Sequence, residues 1–376
     1  MVPSLFPEIY DIKDFIQARN YPVIHPDSFQ YSEYWSKEEK KCLEGFWGKD
    51  FRDGKGGYRY ASGPLYFYVN YAIIADEDEK GKTTANIIPK LRDVEWIVFY
   101  GWLVANGFSG FMDDDEYTCN LVVKKIETGV ELSPKEKIEF DKLKHLKKED
   151  GSYKTYIDPI EYLYQTFEKP LGLPIYDNPA KDFMWLASRS LGKSVITAGI
   201  LAHVFTFFGK KYYDDEYIYS PAGIEIAVGS AQVTKSTELL KKMSSILENL
   251  KTGPGSYGKH ESFIPGYFYL STSGSMSPSN KSPFRHEYQI KEGGTWVTKG
   301  TGTKLVHVAW GDNAEAAVGG RYQVIACEEV GLADDILQIQ GANRATMIRR
   351  NKFGSCMYIG TAGNMEKITG SKIMFE

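Results

Sequence analysis

Short apolar runs alternate with longer helical segments from residue 181 onward. Short runs bounded by turn residues are typical of buried strands, whereas apolar residues at helical spacing indicate a helix. The predicted strands are 182–187, 223–230, 303–310, 322–329 and 355–363, and the predicted helices are 193–209, closed by Gly209, and 231–250. This alternation predicts an α/β fold with a mostly parallel central sheet flanked by helices, in which ligands bind at the carboxyl ends of the strands.

Two other segments break this rhythm. Residues 253–302 are rich in Gly, Ser and Tyr and predict an insertion with hairpin content. Residues 1–122 are aromatic-rich and irregular, and the apolar segment 64–74 within them fits a strand or a helix. We therefore expect an N-terminal accessory region with its helical linker at 1–150 and an α/β domain at 151–376.

The linker, residues 123–150, carries a helix-start signal. Ser133 can cap a helix, with Pro134 at its first position and Glu136 three residues after the cap. A narrow apolar stripe follows at Ile138, Leu143 and Leu146. The pattern predicts an exposed helical linker or hairpin, whose lysines either lie on a solvated face or follow a DNA backbone.

Composition narrows the class of protein. The chain of 376 residues is 42% hydrophobic and 25% charged, and its 26 Tyr, 20 Phe and 7 Trp exclude a disordered chain. Its N-terminus lacks the pattern of a signal peptide, and no apolar stretch approaches the roughly 18 residues that span a bilayer. The net charge of -4 leaves binding to nucleic acid open. Four scattered cysteines, without paired spacing, fit a reducing cytoplasm.

Residues 185–194, "WLASRSLGKS", resemble a phosphate-binding loop. Gly192, Lys193 and Ser194 match the end of the pattern G-x-x-x-x-G-K-[ST], in which backbone N–H groups cradle phosphates, the Lys reaches the terminal phosphates and the hydroxyl binds Mg²⁺. Ala187 replaces the first glycine, and Arg189 adds a fixed positive charge.

The flanking elements favour a nucleotide site for this loop. A strand precedes the loop and a long apolar helix follows it, as a phosphate loop requires. The alternative is a surface turn capped by Ser188 or Ser190.

A pair of carboxylates, Glu328 and Glu329, follows the buried run 324–327. This arrangement puts one acid near Mg²⁺ and a second where it can orient or deprotonate a water, although acidic residues also end strands at a solvent edge. Asp is commoner at the first position, and the longer Glu328 side chain suits contact with Mg²⁺ through water. The order of the loop and this pair favours one joint site.

Together, "SRSLGKS", "VIACEE" preceded by "VGGRY", and "IGTAGNM" resemble the ATPase domain of the large terminase subunit of tailed bacteriophages, the motor that packs DNA into procapsids. The family's deviant loop, in which the first Gly is commonly replaced and an Arg appears early, matches Ala187 and Arg189. The strings "YWSKEEKKCLEGF", "ASGPLYFYVNYAII" and "LRDVEWIVFYG" also look like the accessory region of some long terminases. The resemblance implies a P-loop NTPase fold of the ASCE (RecA-like) type for 151–376.

The resemblance also implies roles for single residues. Lys193 and the backbone around Gly192 would bind the β- and γ-phosphates, Ser194 and Glu328 would hold Mg²⁺, and Glu329 would activate water. The implied nucleotide-binding loop is Ser188, Arg189, Ser190, Leu191, Gly192, Lys193 and Ser194.

Further implied roles are less local. Arg189 would stabilise charge on the γ-phosphate, a role that Arg321 would share or take over from a neighbouring subunit. Thr361 and Asn364 would couple hydrolysis to movement. Gln165 is the nearest candidate for an adenine contact, and the alternative is a Gln exposed on an amphipathic helix.

The family's cofactors and partners follow from the same resemblance. It implies ATP and Mg²⁺, double-stranded DNA, a portal protein, a small terminase subunit and a homo-oligomeric ring on the procapsid, in the cytoplasm of the infected host and away from membranes. The sequence stops at Glu376, shortly after the coupling motif. We therefore expect no nuclease domain and no DNA cleavage by this chain, which would be a fragment or one half of a split product. The acidic run 112–116 is more typical of a solvated loop.

Two other functions stay open at this point. A helicase-like DNA-dependent ATPase would need further motifs in a second α/β lobe. A nucleotide-binding assembly protein without turnover would not need a catalytic acid such as Glu329.

Overall fold

Helices and strands alternate along the described part of the chain. The computed structural model describes residues 28–50, 57–77, 83–89, 91–105, 114–148, 150–157, 182–187, 191–207, 210–213, 216–219, 224–252, 270–271, 284–286, 288–299, 302–310, 320–333, 336–342, 347–348, 351–352 and 354–361. The helices are α1 (Phe29–Glu44), α2 (Gly63–Tyr71), α3 (Asp93–Ala105), α4 (Asp114–Glu127), α5 (Pro134–Lys142), α6 (Lys193–Phe207), α7 (Val233–Thr252) and α8 (Ile336–Ala342). The strands are β1 (Phe46–Asp50), β2 (Gly57–Ala61), β3 (Ile74–Glu77), β4 (Thr83–Ile87), β5 (Tyr156–Ile157), β6 (Phe183–Leu186), β7 (Lys210–Tyr213), β8 (Glu216–Tyr219), β9 (Glu225–Ser230), β10 (Leu270–Ser271), β11 (Phe284–His286), β12 (Tyr288–Glu292), β13 (Thr295–Lys299), β14 (Lys304–Ala309), β15 (Val324–Glu328), β16 (Met347–Ile348), β17 (Asn351–Lys352) and β18 (Ser355–Gly360).

A seven-stranded sheet lies at the centre, in the order β10-β11-β14-β9-β15-β18-β6. Strands β14, β9, β15, β18 and β6 run parallel, while β11 and β10 continue the edge in antiparallel fashion. The predicted α/β fold with a mostly parallel sheet is therefore confirmed. Strands β10 and β11 and the hairpin of β12 and β13 all lie within 253–302.

Each face of the sheet packs on a different set of elements. Val324 and Ala326 of β15 belong to an apolar cluster with α6 and α7, whereas Ile325 and Cys327 pack with α8 on the other side. Successive strand residues point to opposite faces. Glu328 therefore shares the face of Ala326, which is the face that α6 covers.

The segment of ambiguous type, 64–74, forms α2 followed by the start of β3. Ser62 caps the helix by accepting a hydrogen bond from the Leu65 N–H, and Pro64 lies in the first turn, so local capping selects the helix. Every residue of α2 is buried. Helices α2 and α3 share one apolar core with α6 and the sheet, while the division into domains at residue 150 stays a prediction.

The predicted helix start in the linker is present. Ser133 and Glu136 form a reciprocal capping box at the N-terminus of α5. The predicted apolar stripe is only partly buried: Leu143 and Leu146 are covered, whereas Ile138 is 62% exposed. Ile138 and Leu143 are five residues apart, roughly 140° around an α-helix, so the contacts that cover Leu143 leave Ile138 exposed.

The acidic run differs in part from its expected loop conformation. Residues 114–116 form the first turn of α4. Residues 112 and 113 lie outside the described residues. Among the described helices, none is long and apolar enough to cross a membrane.

We predict that Gly199→Ala destabilises the protein. An alanine inside a helix normally adds about 1 kcal/mol of stability. Here the added Cβ would lie 2.3 Å from Tyr68 Cδ2, at the crossing of α6 and α2, and such overpacking typically costs about 1–3 kcal/mol. Urea unfolding measures the difference. In a Tyr68→Leu background the same change costs less if the ring is the obstacle, and a more stable Gly199→Ala protein contradicts the packing described.

His203 joins α6 to the N-terminal helix α1. Its Nε2 donates to the Cys42 carbonyl oxygen at 2.7 Å, and the ring is buried. Burial lowers the pKa of His203 to about 4, against a smaller raising effect of that hydrogen bond. The neutral ring therefore belongs to the folded state.

We predict a loss of stability in mild acid that depends on His203. The unfolded chain binds the proton with a pKa near 6.5, so stability is full above about pH 6.5 and falls toward pH 4, by up to about 3 kcal/mol. Urea unfolding at a series of pH values measures this slope. His203→Gln should flatten it, while His145→Gln, which removes an exposed histidine, should not. Equal slopes in both variants would count against the buried neutral ring.

Candidate functional site

Three strand ends lie level at one edge of the sheet. The strand register pairs Glu328 of β15 with Ile359 of β18, and Ile359 with Trp185 of β6. The Ala187 N–H then donates to the Gly360 carbonyl at 3.2 Å, which extends the ladder beyond β6. The predicted loop, carboxylate pair and coupling turn thus follow neighbouring carboxyl ends, where ligands of parallel sheets bind.

The end of the loop starts α6. Gly192 has a φ of 79°, and its carbonyl accepts the first helical hydrogen bonds, from Val195 and Ile196 at 3.0 and 2.9 Å. Such a positive φ favours glycine. The Lys193 side chain is buried, and its Nζ donates to the Ala187 carbonyl at 3.3 Å. The lysine thus reaches back across the loop from the helix to the end of β6.

Ser194 and Glu328 meet across 134 residues of chain. Ser194 Oγ donates to Glu328 Oε1 at 2.6 Å. Glu328 is only 4% exposed, and its other oxygen, Oε2, has no hydrogen-bond partner within the described residues. Burial raises the pKa of Glu328 to about 7, although the Ser194 hydrogen bond opposes the rise.

This pair fits a magnesium site. A carboxylate and a hydroxyl supply the oxygen ligands that Mg²⁺ prefers, and a buried carboxylate oxygen without a donor is costly unless a cation or another donor satisfies it. The unsatisfied Oε2 of Glu328 is such an atom. The residues present therefore suit the ion that the motifs imply.

Glu329 adopts a strained backbone conformation. Its φ is 52°, and no other non-glycine residue among those described has a positive φ. The Leu332 N–H donates to the Glu329 carbonyl at 3.0 Å and closes the turn. Thr361 donates to Glu329 Oε2 from its N–H at 3.3 Å and from Oγ1 at 3.1 Å. The left-handed turn thus aims the second carboxylate at the end of β18, beside Glu328. Strain of this kind is often found at functional sites.

The remaining predicted residues fall into two groups. Arg321 is exposed and precedes β15, seven residues from Glu328, which is roughly 20 Å along an extended strand. The structure therefore does not bring it to the carboxyl edge in the same chain, and a role across a subunit boundary stays a prediction. The other group lies outside the described residues, so its assignments also stay predictions: Gln165, Ser188, Arg189, Ser190 and Asn364.

Two basic residues near the site escaped the sequence analysis. Arg92 Nη2 donates to the Leu191 carbonyl at 3.2 Å, although Arg92 lies 99 residues upstream. The charge of Lys242, on α7, lowers the pKa of Glu328. Lys242 lies in the predicted helix 231–250, but no local pattern relates either residue to the loop.

Comparisons with known proteins give the following matches. No family model matches the sequence, and no curated protein matches it. Among solved structures, the chain is similar to the large terminase of bacteriophage HK97, with 10% identity and a TM-score of 0.31 over 62% of this chain and 39% of that one. It is also similar to a mutant ATPase domain of the large terminase of Thermus phage P74-26, with 11% identity and a TM-score of 0.30 over 54% of this chain and 70% of that one. Both are large terminases. The chain thus spans less than half of the length of the HK97 protein.

We predict that Glu329→Gly gives a more stable protein than Glu329→Ala. Both variants lose the carboxylate, but only glycine adopts a φ of 52° without a penalty, which is about 1–2 kcal/mol for other residues. Differential scanning calorimetry of the two variants measures the gap. A matched Ala and Gly pair at Ser245, inside α7, should show the opposite order. An alanine variant at 329 as stable as the glycine variant would mean that the turn is not left-handed.

Proposed function

We propose that this chain is the ATP-hydrolysing motor subunit of a large terminase, which translocates double-stranded DNA into a procapsid. The observation that carries the proposal is the contact of Ser194 with Glu328, whose second oxygen lacks a donor among the described residues. It joins the helix start after a phosphate loop to the strand end that bears two carboxylates. A surface turn or a solvated strand end has no need of such a contact.

Within the proposal, the loop holds the triphosphate. N–H groups at the start of α6 and the positive end of its dipole favour phosphate oxygens. Lys193 would exchange its hydrogen bond to Ala187 for the β- and γ-phosphates. Ser188, Arg189 and Ser190 would complete the cradle, and Gln165 would contact the adenine.

Magnesium would be held by Ser194 and Glu328 and would supply neutralisation of charge on the phosphates. Glu328 itself is shielded from solvent. The hydrogen bond from Ser194 to Oε1 already fixes the rotamer of Glu328, so its other oxygen would need no reorientation to contact the ion.

Glu329 would act as the base for the attacking water. Thr361 donates twice to Oε2, which fixes the orientation of the carboxylate. Arg189 would stabilise charge that develops on the γ-phosphate, and Arg321 would act only from a neighbouring subunit.

The contact of Glu329 with Thr361 also suggests how hydrolysis is coupled to movement. Thr361 follows β18, the strand between β6 and β15, so a change at Glu329 is transmitted to the segment after residue 361, which contains Asn364. Gly331 lies against the same place: an added Cβ would be 2.6 Å from the Thr361 carbonyl oxygen. Packing of this tightness leaves little room for one turn to move without the other.

The remaining parts of the proposal follow the family resemblance. The described α/β part would be a P-loop NTPase of the ASCE type at 151–376, with 1–150 as an accessory region. ATP and Mg²⁺ would be its cofactors. Its partners in the host cytoplasm would be double-stranded DNA, a portal protein, a small terminase subunit and further copies of the chain in a ring. The DNA would be held through its phosphates.

We predict that Lys193→Ala and Glu329→Gln both lower ATP turnover by about a hundredfold or more. Phosphate release with and without duplex DNA measures turnover. Lys193→Ala should also weaken nucleotide binding, because it removes a phosphate contact, whereas Glu329→Gln should bind nucleotide normally. Glu238→Gln, on the exposed side of α7, is the control and should hydrolyse ATP at the wild-type rate. Wild-type turnover in both site variants would refute the assignment, and binding without any turnover in the wild type would indicate an assembly protein.

A further inference from the structure

We propose that Arg92, from the N-terminal segment, is a positioning residue that sets the orientation of the phosphate loop. The inference rests on the proposed nucleotide site, and it adds a part of the chain that no motif assigns to that site. Arg92 would not touch the nucleotide. It would act through the peptide group between Leu191 and Gly192.

The contacts of Arg92 reach the loop directly. Its Nη2 donates to the Leu191 carbonyl at 3.2 Å. The same nitrogen would lie 3.2 Å from a Cβ at Gly192, so the guanidinium covers the outer side of this glycine. Gly192 begins α6, and its neighbours Lys193 and Ser194 carry the predicted phosphate and magnesium contacts.

The planarity of the peptide bond turns this contact into a constraint on the site. The described residues contain no cis peptide bonds, and in a trans peptide the C=O and the following N–H point in opposite directions. With the Leu191 carbonyl directed at Arg92, the Gly192 N–H is directed away from it. Glycine rotates its backbone easily, so an external hydrogen bond is an effective way to hold this one orientation.

Arg92 is itself held firmly by Glu95. The Glu95 carboxylate, only 1% exposed, accepts hydrogen bonds from the Arg92 backbone N–H at 2.8 Å, from Nε at 3.1 Å and from Nη2 at 2.6 Å. Burial raises the pKa of Glu95, and the Arg92 guanidinium opposes this rise. The pair lies at the start of α3, which packs into the shared core and whose Gly101 lies against Phe183 of β6.

The fork of the guanidinium suits this double task. One face of the fork pairs with Glu95 while Nη2 also reaches Leu191. A lysine ammonium is a compact charge and cannot span both partners in a fixed geometry. The N-terminal segment would therefore preorganise the loop and lower the cost of ordering it around a ligand.

The experiment is a titration of each variant with a fluorescent ATP analogue in the presence of Mg²⁺, together with steady-state ATPase kinetics. Arg92→Met is expected to weaken nucleotide binding about tenfold, the size of one hydrogen bond from a charged donor, and to raise KM similarly. The kcat at saturating ATP should stay within about threefold of wild type, because Arg92 supplies no reacting group.

A second variant guards against misfolding. Arg92→Met leaves the buried Glu95 without its partner, so Arg92→Met/Glu95→Met removes both charges together. This double variant should fold, as checked by circular dichroism, and should lose the same affinity. Arg92→Lys should retain the ion pair yet bind nucleotide less tightly than wild type. The control is Arg285→Met, an exposed arginine on β11, about 24 Å across the sheet from β6.

The outcomes separate this inference from the proposed function. Folded Arg92 variants with wild-type nucleotide affinity and a lowered Tm would overturn the inference, because Arg92 would then only close the first turn of α3. A wild-type protein that binds no nucleotide would instead overturn the proposed function, and the inference would fall with it.

Discussion

The hydrogen bond from Ser194 to Glu328 joins the two halves of the candidate site. It can form only if α6 begins directly above the carboxyl end of β15, on the face of the sheet where Glu328 points. The parallel register of β6, β18 and β15 meets the first condition, and the alternation of side chains along β15 meets the second. The bond leaves one buried carboxylate oxygen without a partner in the described structure, and this atom is where we propose that a cation binds.

Two features of this arrangement lower the stability of the folded protein. Glu329 is held in a left-handed turn that a glycine would adopt more easily, and Glu328 is buried at the cost of a raised pKa. Both features are expensive for stability and useful for chemistry. The apolar core that α2 and α3 share with α6 stabilises the frame around these costs, because it fixes the helix whose first turn carries Lys193 and Ser194.

Local sequence signals identified much of the fold. The apolar runs gave the positions of β6, β9, β14, β15 and β18 to within a few residues, and Ser133 with Glu136 marked the start of α5. These signals succeed because strand burial and helix capping depend on residues close in the chain. The segment 64–74 was ambiguous for the opposite reason: an element buried on all sides shows no periodicity.

The site was predictable only where it follows a motif. Ser194 and Glu328 were paired by analogy with phosphate loops, and their contact is present. Arg92 was missed because its contact with Leu191 spans 99 residues and depends on how α3 packs. Arg321 is only seven residues from Glu328 in the sequence. In the fold, however, the length of β15 lies between Arg321 and the carboxyl edge of the sheet, because each residue of a strand advances the chain by about 3.3 Å.

The most direct measurement is a crystal structure of the protein with Mg²⁺ and a non-hydrolysable ATP analogue. Our prediction is a metal ion in contact with Ser194 Oγ on the side of the unpartnered oxygen of Glu328, with the terminal phosphate facing Glu329. A nucleotide bound elsewhere on the sheet, with the Ser194 and Glu328 side chains still paired and no metal beside them, would contradict it.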